Sequence, residues 1–347
     1  MKMIIDEKTV IRAIKTCIKE VPFLKISRVS KEGNSPSPDL RIELDFNHRP
    51  ITILAEYKNN GQPRIARQAV YQIKNWLSIG QGDYGVFIAP YISADAATIC
   101  ENAGIGYIDL AGNCLISFDT IYIHREGKPN PSTQRREYRS LYSTKAERIL
   151  RVLLSQPKKT WTTELLAEAA QVSYGQVSNV KKLLADREWL APNNIGIKLS
   201  HPDKLLDEWS EQYRFSRNEN MEFYAVTEVA DSEDQLAKAC RKKGIQYVFT
   251  AFSGASRIAP AVRYQRVIAY IDSDVEILTK SLDWKPVPSG ANVNLLVPYD
   301  GGVFYDKREI NDVYIATPIQ IYLDLLNYRG RGQEAADAIK KVIVQSW

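Results

Sequence analysis

Asp39, Glu56 and Lys58 have the types and spacing to do chemistry. They fall in PDLRIELDFNHRPITILAEYK, where apolar and polar residues alternate on both sides of NHRP, the pattern of an antiparallel hairpin. With NHRP as the connection, Phe46 opposes Ile51, Asp39 opposes Lys58 and Arg41 opposes Glu56. Side chains alternate across a strand, so Glu56 and Lys58 share one face, with Asp39 across from Lys58 and diagonal to Glu56. Two carboxylates and an ammonium then converge at the open end of the hairpin. That set suits metal-assisted phosphodiester hydrolysis. Asp39 and Glu56 are hard oxygen ligands for Mg²⁺, which polarises a phosphate and lowers the pKa of a bound water. Lys58 orients that water or neutralises charge on the phosphoryl oxygens. The competing reading is a solvated strand face whose charges, with Arg41, Glu43 and Asp45, pair among themselves.

A second set is polar and basic. The segment SYGQVSNVKKLLADREWL splits into two helical faces. Val177, Val180, Leu183 and Leu184 face inward; Tyr174, Gln176, Ser178, Asn179, Lys181 and Lys182 face out. Polar residues in the N-terminal half can reach base edges while the lysines contact phosphates. Asn193, Asn194 and Lys198 fall where a wing touches the backbone or minor groove. From Arg125 to Ser200 the chain carries fourteen Lys/Arg against seven Asp/Glu, in a protein of net charge +5. A basic middle is what a nucleic-acid surface requires, because phosphate neutralisation supplies most non-specific affinity. A helix-turn-helix used to bind protein is the alternative.

The elements that must position these residues divide into three parts of an α/β multidomain chain. Residues 1–126 read α-β-β-β-α-β: a helix over 7–20, strands over 24–30, 39–46 and 51–58, a helix over 65–79 and a strand over 84–90. A helix over 93–103 and strands around 105–109 and 114–123 are appended. A basic linker, 127–142, follows. Residues 143–210 read as three helices and a short hairpin, with Thr162 or Thr163 and Ser173 as N-caps; this is the outline of a winged helix-turn-helix DNA-binding domain. EQYRFSRNEN, 211–220, lacks apolar periodicity and reads as a second seam. Residues 219–347 alternate strands (YAVTEV, YVFTAF, RVIAYI, VNLLVPY, DVYIAT) with helices over 232–242, 318–326 and 332–345.

Composition narrows the class. At 347 residues, with 44% hydrophobic and 25% charged residues, the chain sits on the globular average and is long enough for two or three domains. It has no apolar run long enough for a bilayer and no signal-peptide pattern at MKMIIDEKTV. Four cysteines without CxxC spacing and three histidines argue against a disulfide framework and a structural zinc site. The expectation is a cytoplasmic protein with no membrane contact.

Several of these motifs resemble known families. Pro38-Asp39 followed by Glu56-Tyr57-Lys58, in an α-β-β-β-α-β order, resembles the PD-(D/E)xK restriction-endonuclease-like superfamily. That implies a Mg²⁺-dependent nuclease site at Asp39, Glu56 and Lys58, with Asp39 and Glu56 as metal ligands. In several branches a Gln or Tyr on the next helix supports the site, which makes Gln68, Tyr71 and Gln72 candidates. FTAFSGASRIAP followed by RVIAYIDSDVEIL resembles the nucleotidyltransferase fold, with Gly254 and Ser256 toward phosphate and Asp272 and Asp274 toward metal. Fifteen residues separate Ser256 from Asp272, and Ser273 stands where an apolar residue is expected, so the site reads as a relic of an inactive nucleotidyltransferase-like domain.

ATPIQIYLDLLNYRGRGQEAADAIKKVI, together with GIGYIDLAGNCLI at 104–116, resembles the AbiEi-type antitoxins of type IV toxin–antitoxin systems. The signature residues are Tyr322, Leu323, Asp324 and Leu325, then Arg331, Gly332, Glu334, Ala335 and Ala336. The resemblance implies a transcriptional regulator that binds double-stranded promoter DNA and counters a cognate nucleotidyltransferase-type toxin. Arg329 and Arg331 flank glycines and are the candidates for phosphate or an acidic partner. Shorter members of the group lack the N-terminal region, which suggests a role beyond repression. A homodimer is expected, since winged-helix regulators often dimerise. The alternative function is a Mg²⁺-dependent DNA endonuclease targeted by the winged helix.

Overall fold

In the computed structural model, which describes residues 7–18, 21, 24–32, 37–46, 49–129, 141–192, 196–328 and 330–347, the chain is a mixed α/β protein. Those residues form two mixed sheets of seven strands each. They fall into two compact units, Met1–Arg139 with Lys182–Glu188, and Ser140–Lys181 with Trp189–Trp347.

The first unit runs α1 (Glu7–Ile18), β1 (Leu24–Lys31), β2 (Leu40–Phe46), β3 (Arg49–Tyr57), α2 (Pro63–Ser78), β4 (Tyr84–Ala89), α3 (Ala94–Asn102), β5 (Gly106–Asp109), β6 (Cys114–Phe118) and β7 (Ile121–Arg125). Its strands lie in sequence order. β3, β4 and β5 are parallel, joined through α2 and α3, and the remaining neighbours are antiparallel. Apolar residues of both parities along the central strands serve two cores. Val10, Ile14 and Ile18 of α1 pack with Leu40, Ile42, Leu44 and Ile53 on one face. Ala66, Ala69 and Ile73 of α2 pack with Leu54 and Phe87 on the other.

Two readings of the sequence need correction here. Phe46 pairs with Arg49 and Leu40 with Ala55, so the β2–β3 register differs by two residues from the one built on NHRP. Residues 47–48 lie outside the described residues. Pro50 sits in the strand opposite Asp45, and β4 begins to pair with β3 only at Ile53. Pro50 therefore lies where β3 is an edge, the place a missing N–H costs least. A shift of two preserves the parity of every side chain, so Asp39, Arg41 and Glu43 still share a face with Glu56 and Lys58. The run 114–123 is two strands rather than one, with Phe118 opposite Ile121 and Asp119 in the left-handed region at φ 50° between them.

The second unit runs α4 (Thr144–Ser155), α5 (Thr163–Ala170), α6 (Tyr174–Asp186, whose last residues belong to the first unit), α7 (Pro202–Gln212), β8 (Glu219–Tyr224), α8 (Val229–Lys243), β9 (Tyr247–Phe249), α9 (Ala251–Ala255), β10 (Val267–Ile271), α10 (Val275–Ser281), β11 (Lys285–Pro286), β12 (Val293–Val297), β13 (Arg308–Ile310), β14 (Val313–Ile315), α11 (Pro318–Leu325) and α12 (Gly332–Ser346). Its strand order is β11-β8-β12-β10-β9-β14-β13. Thr162 Oγ1 accepts the N–H of Leu165 at 3.1 Å and Ser173 Oγ that of Gln176 at 3.3 Å, capping α5 and α6. Single bridges join Trp161 to Ile197 and Leu190 to Leu199.

The strand expected at YAVTEV is instead β8, which pairs with β12 from Glu219 opposite Val297 to Phe223 opposite Val293. Val226 is 91% exposed, and the chain enters α8 at Val229. The seam at 211–220 is also built into the fold. Tyr213 and Asn218 are buried there, and Arg217 pairs with Glu147 of α4 at 3.0 Å. Tyr213 and Asn218 carry buried hydrogen bonds, to Asp324 and the Tyr270 hydroxyl, while most of the seam's other residues are exposed.

Those bonds centre on Asp324, which is fully buried on α11. Its carboxylate accepts from Tyr213 at 2.7 Å, Tyr270 at 3.0 Å, Thr250 at 2.5 Å and Gln320 Nε2 at 2.9 Å. The Gln320 carbonyl oxygen in turn accepts from Arg151 of α4, at 3.0 Å from Nε and 2.7 Å from Nη2. Burial pushes the Asp324 carboxyl up to about 6, against four hydrogen bonds that favour its charged form. The folded chain thus holds this proton more tightly than the unfolded chain. The resulting stability is present below the ordinary carboxylate value of 3.8 and is lost as pH rises through about 6. Asp324→Asn removes the titration. The stability of wild type relative to this variant should fall by roughly 3 kcal/mol across that window in denaturant titrations. A difference that does not change with pH would contradict the assignment.

Candidate functional site

In the first unit, a cavity of about 700 Å³ is lined by Lys31, Glu32 and Ser37, by Asp39, Glu56 and Lys58, and by Gln72, Asn75, Trp76, Ser78, Ile79 and Gln81. Asp39, just before β2, has the parity of that strand's polar positions. Leu40, Ile42, Leu44 and Phe46 are buried, while Arg41, Glu43 and Asp45 occupy the intervening positions. Arg41 closes one side by donating to Glu32 at 2.5 Å and to the Gln81 carbonyl at 2.6 Å.

Asp39, Glu56 and Lys58 are brought together here, as their spacing predicts. Asp39 Oδ2 accepts the backbone N–H of Tyr57 at 2.9 Å, which continues the β2–β3 pairing past Leu40. Glu56 is buried and its carboxylate accepts a hydrogen bond from the Lys58 ammonium. Burial raises the Glu56 pKa and the negative charge of Asp39 adds to the rise; the Lys58 bond and a backbone hydrogen bond from Asp39 oppose it. The pairing of Lys58 with Glu56 and of Arg41 with Glu32 is also what a self-neutralised strand face would show.

The donor set fits Mg²⁺ in chemical type. That ion is held by one or two carboxylates, with water and phosphate oxygens supplying the rest. Among the described residues no cluster of three or more His, Cys, Asp or Glu side chains could hold a metal unaided. Asp39 and Glu56 could therefore contribute two ligands and a phosphate would have to contribute others.

Of the supporting candidates on α2, Gln72 lines the cavity; Gln68 is exposed and is not among the lining residues, and Tyr71 is 68% exposed. Asn75, Trp76 and Ile79 were missed. They follow Gln72 at helical spacings of three, four and seven, so the stripe that meets the cavity was visible once one member was known.

In the second set, Val177, Val180, Leu183 and Leu184 are buried. Tyr174, Ser178, Asn179, Lys181 and Lys182 are exposed, and Gln176 is half-buried. Lys198 is half-buried next to the bridge at Ile197. Asn193 and Asn194 lie outside the described residues, as does Arg329. Arg331 is exposed at the N-terminus of α12.

The nucleotidyltransferase-like positions do not form a phosphate cradle. A Cβ at Gly254 would meet Ile321 at 2.8 Å, so this glycine serves packing of α9 on α11. Ser256 Oγ is engaged with the Ser253 carbonyl at 3.0 Å and the Tyr264 hydroxyl at 3.2 Å. Asp272 and Asp274 are exposed, and Asp272 accepts the Gln246 N–H at 3.1 Å.

Residues 198–345 match the family model described as transcriptional regulator, AbiEi antitoxin, Type IV TA system. The match includes Tyr322–Leu325 and Arg331–Ala336 and so supports that resemblance for the C-terminal part; GIGYIDLAGNCLI lies outside it. No curated protein and no solved structure matches the chain. No helix among the described residues is long and apolar enough to cross a membrane.

The electrostatics of the cavity can be tested directly. Lys58→Met removes a bond that lowers the Glu56 pKa, and should raise it further. Asp39→Asn removes a neighbouring negative charge and should lower it. Carbon-13 NMR titration of the glutamate carboxyls reads both, and movement of the two variants in the same direction would refute the arrangement.

Proposed function

We infer that this protein is a DNA-binding transcriptional regulator of antitoxin type. In this reading 143–210 is a winged helix-turn-helix, α6 enters the major groove of promoter DNA and Lys198 follows it on the wing. The C-terminal part, 219–347, is an inactive nucleotidyltransferase-like domain that neutralises a nucleotidyltransferase-type toxin, with Arg331 in the partner surface. The carrying observation is the exposed polar face of α6, from Tyr174 to Lys182, on a helix whose other side is buried. The regulator description of the model matched by 198–345 supports it independently, as does the basic surplus of 125–200. The protein acts as a homodimer in the cytoplasm.

Each lysine that neutralises a phosphate contributes roughly 0.9 to the slope of log affinity against log salt. Lys181→Ala with Lys182→Ala should therefore weaken duplex binding uniformly across sequences and flatten that slope by about 2. Anisotropy titrations at several salt concentrations measure it, and an unchanged slope would remove these lysines from the interface.

A second reading is favoured by the Asp39–Glu56–Lys58 cavity: a restriction-endonuclease-like domain over 1–126 that cuts DNA, targeted by the winged helix. Asp39 and Glu56 would hold Mg²⁺, which supplies Lewis acidity toward phosphate and water. Lys58 would offset charge on the phosphoryl oxygens, and Gln72 would support the bound phosphate. Plasmid incubated with Mg²⁺ or Mn²⁺ should then be nicked by wild type and left intact by Glu56→Ala and Lys58→Ala. Intact plasmid throughout would leave the domain as a binding scaffold.

A further inference from the structure

Two of the four cysteines meet inside the first unit. Cys17, on the last turn of α1, and Cys114, the first residue of β6, are both buried, and their sulfur atoms stand 2.6 Å apart. They are separated by 97 positions in the chain, so the contact belongs to the tertiary fold. The fold holds both in register through one residue. Arg125 of β7 is the strand partner of Cys114. Its guanidinium donates to the carbonyls closing α1, that of Thr16 at 3.1 Å and that of Cys17 at 3.5 Å. A cavity of about 350 Å³, walled by Thr9, Arg12 and Ala13 of α1 and by the loop from Leu110 to Asn113, reaches both sulfur-bearing residues. The loop is fixed by Asp109, whose carboxylate accepts the N–H groups of Gly112 and Asn113 at 2.8 Å each. Burial pushes the thiols of Cys100 and Cys240 up to about 12.

We propose that Cys17 and Cys114 are a redox-active dithiol that closes to a disulfide with hydrogen peroxide as oxidant. A thiolate of the pair attacks one peroxide oxygen; the O–O bond breaks, the sulfur becomes a sulfenic acid, and the other oxygen leaves as water. The second thiol then attacks the sulfenic sulfur. The S–O bond breaks, the S–S bond forms and a second water leaves. The two sulfurs give up two electrons, the peroxide accepts them, and the thiol protons end in the waters. The product ties α1 to β6 on the face of the sheet that α1 covers and removes loop freedom from the unfolded chain.

The test uses the full chain with hydrogen peroxide, followed by denaturation, thiol titration and peptide mapping by mass spectrometry. The titratable thiols should fall from four to two, with peptides bearing Cys17 and Cys114 linked and both thiols restored by dithiothreitol. Cys17→Ser and Cys114→Ser should each keep three titratable thiols at the same dose, with circular dichroism as the check on folding. Arg125→Ala should slow closure several-fold while leaving the product unchanged. Four remaining thiols, a link through Cys100 or Cys240, or oxidation of Cys17 to a sulfinic acid without a link would each overturn the proposal.

Discussion

The second unit depends on a carboxylate that has been taken out of water. Asp324 is surrounded by side chains from widely separated parts of the chain: Tyr213 after α7, Thr250 after β9, Tyr270 on β10 and Gln320 one turn away. A buried polar group without partners is costly, and a network with one member missing is worse than an apolar core. All of these elements must therefore arrive together. Gln320 extends the requirement to Arg151, whose guanidinium lies 5.1 Å from the Trp209 ring, and so binds the helices preceding α7 to the α/β part. Glu147 adds Arg217 and the Tyr299 hydroxyl on a neighbouring turn. The Tyr-Leu-Asp-Leu signature thus has a structural meaning: Leu323 and Leu325 fill the core, and Asp324 organises the polar contacts that set its neighbours.

Much of this was legible in the sequence where periodicity was strong. The alternation of LRIELDF placed β2, and its parity survived a two-residue error in register, which is why Asp39, Glu56 and Lys58 were found together although their pairing was not as first drawn. The error came from Pro50, a residue that punctuates turns but is tolerated on a strand edge. Caps at Thr162 and Ser173 were readable because a hydroxyl just before a helix has one dominant use. What could not be read were the buried hydrogen bonds. Tyr213 and Asn218 sit in a run without apolar period, and Arg151 enters the sequence reading only as one of the fourteen Lys/Arg of 125–200. Glu147 and Arg151, four residues apart on a helix whose other buried residues are apolar, were the available signal, but their partners lie 70 or more positions away in the chain.

The two functional readings rest on different physics. A DNA-reading helix needs an exposed polar face on a rigidly backed scaffold, and α6 has buried valines and leucines behind Tyr174, Gln176, Ser178 and Lys181. Catalysis needs an additional ion and phosphate at Asp39 and Glu56, and the Lys58–Glu56 bond serves a resting ion pair as well as a working site. A fold can keep such a constellation after its chemistry has gone. The regulator reading requires only the surface that is present.

The most direct measurement is selection from a pool of random duplexes, with sequencing of the bound fraction. A helix that reads base edges predicts enrichment of one motif, its positions altered by Gln176→Ala or Ser178→Ala. Retention of DNA with no enriched motif, or an identical motif from both variants, would contradict the claim that α6 reads sequence.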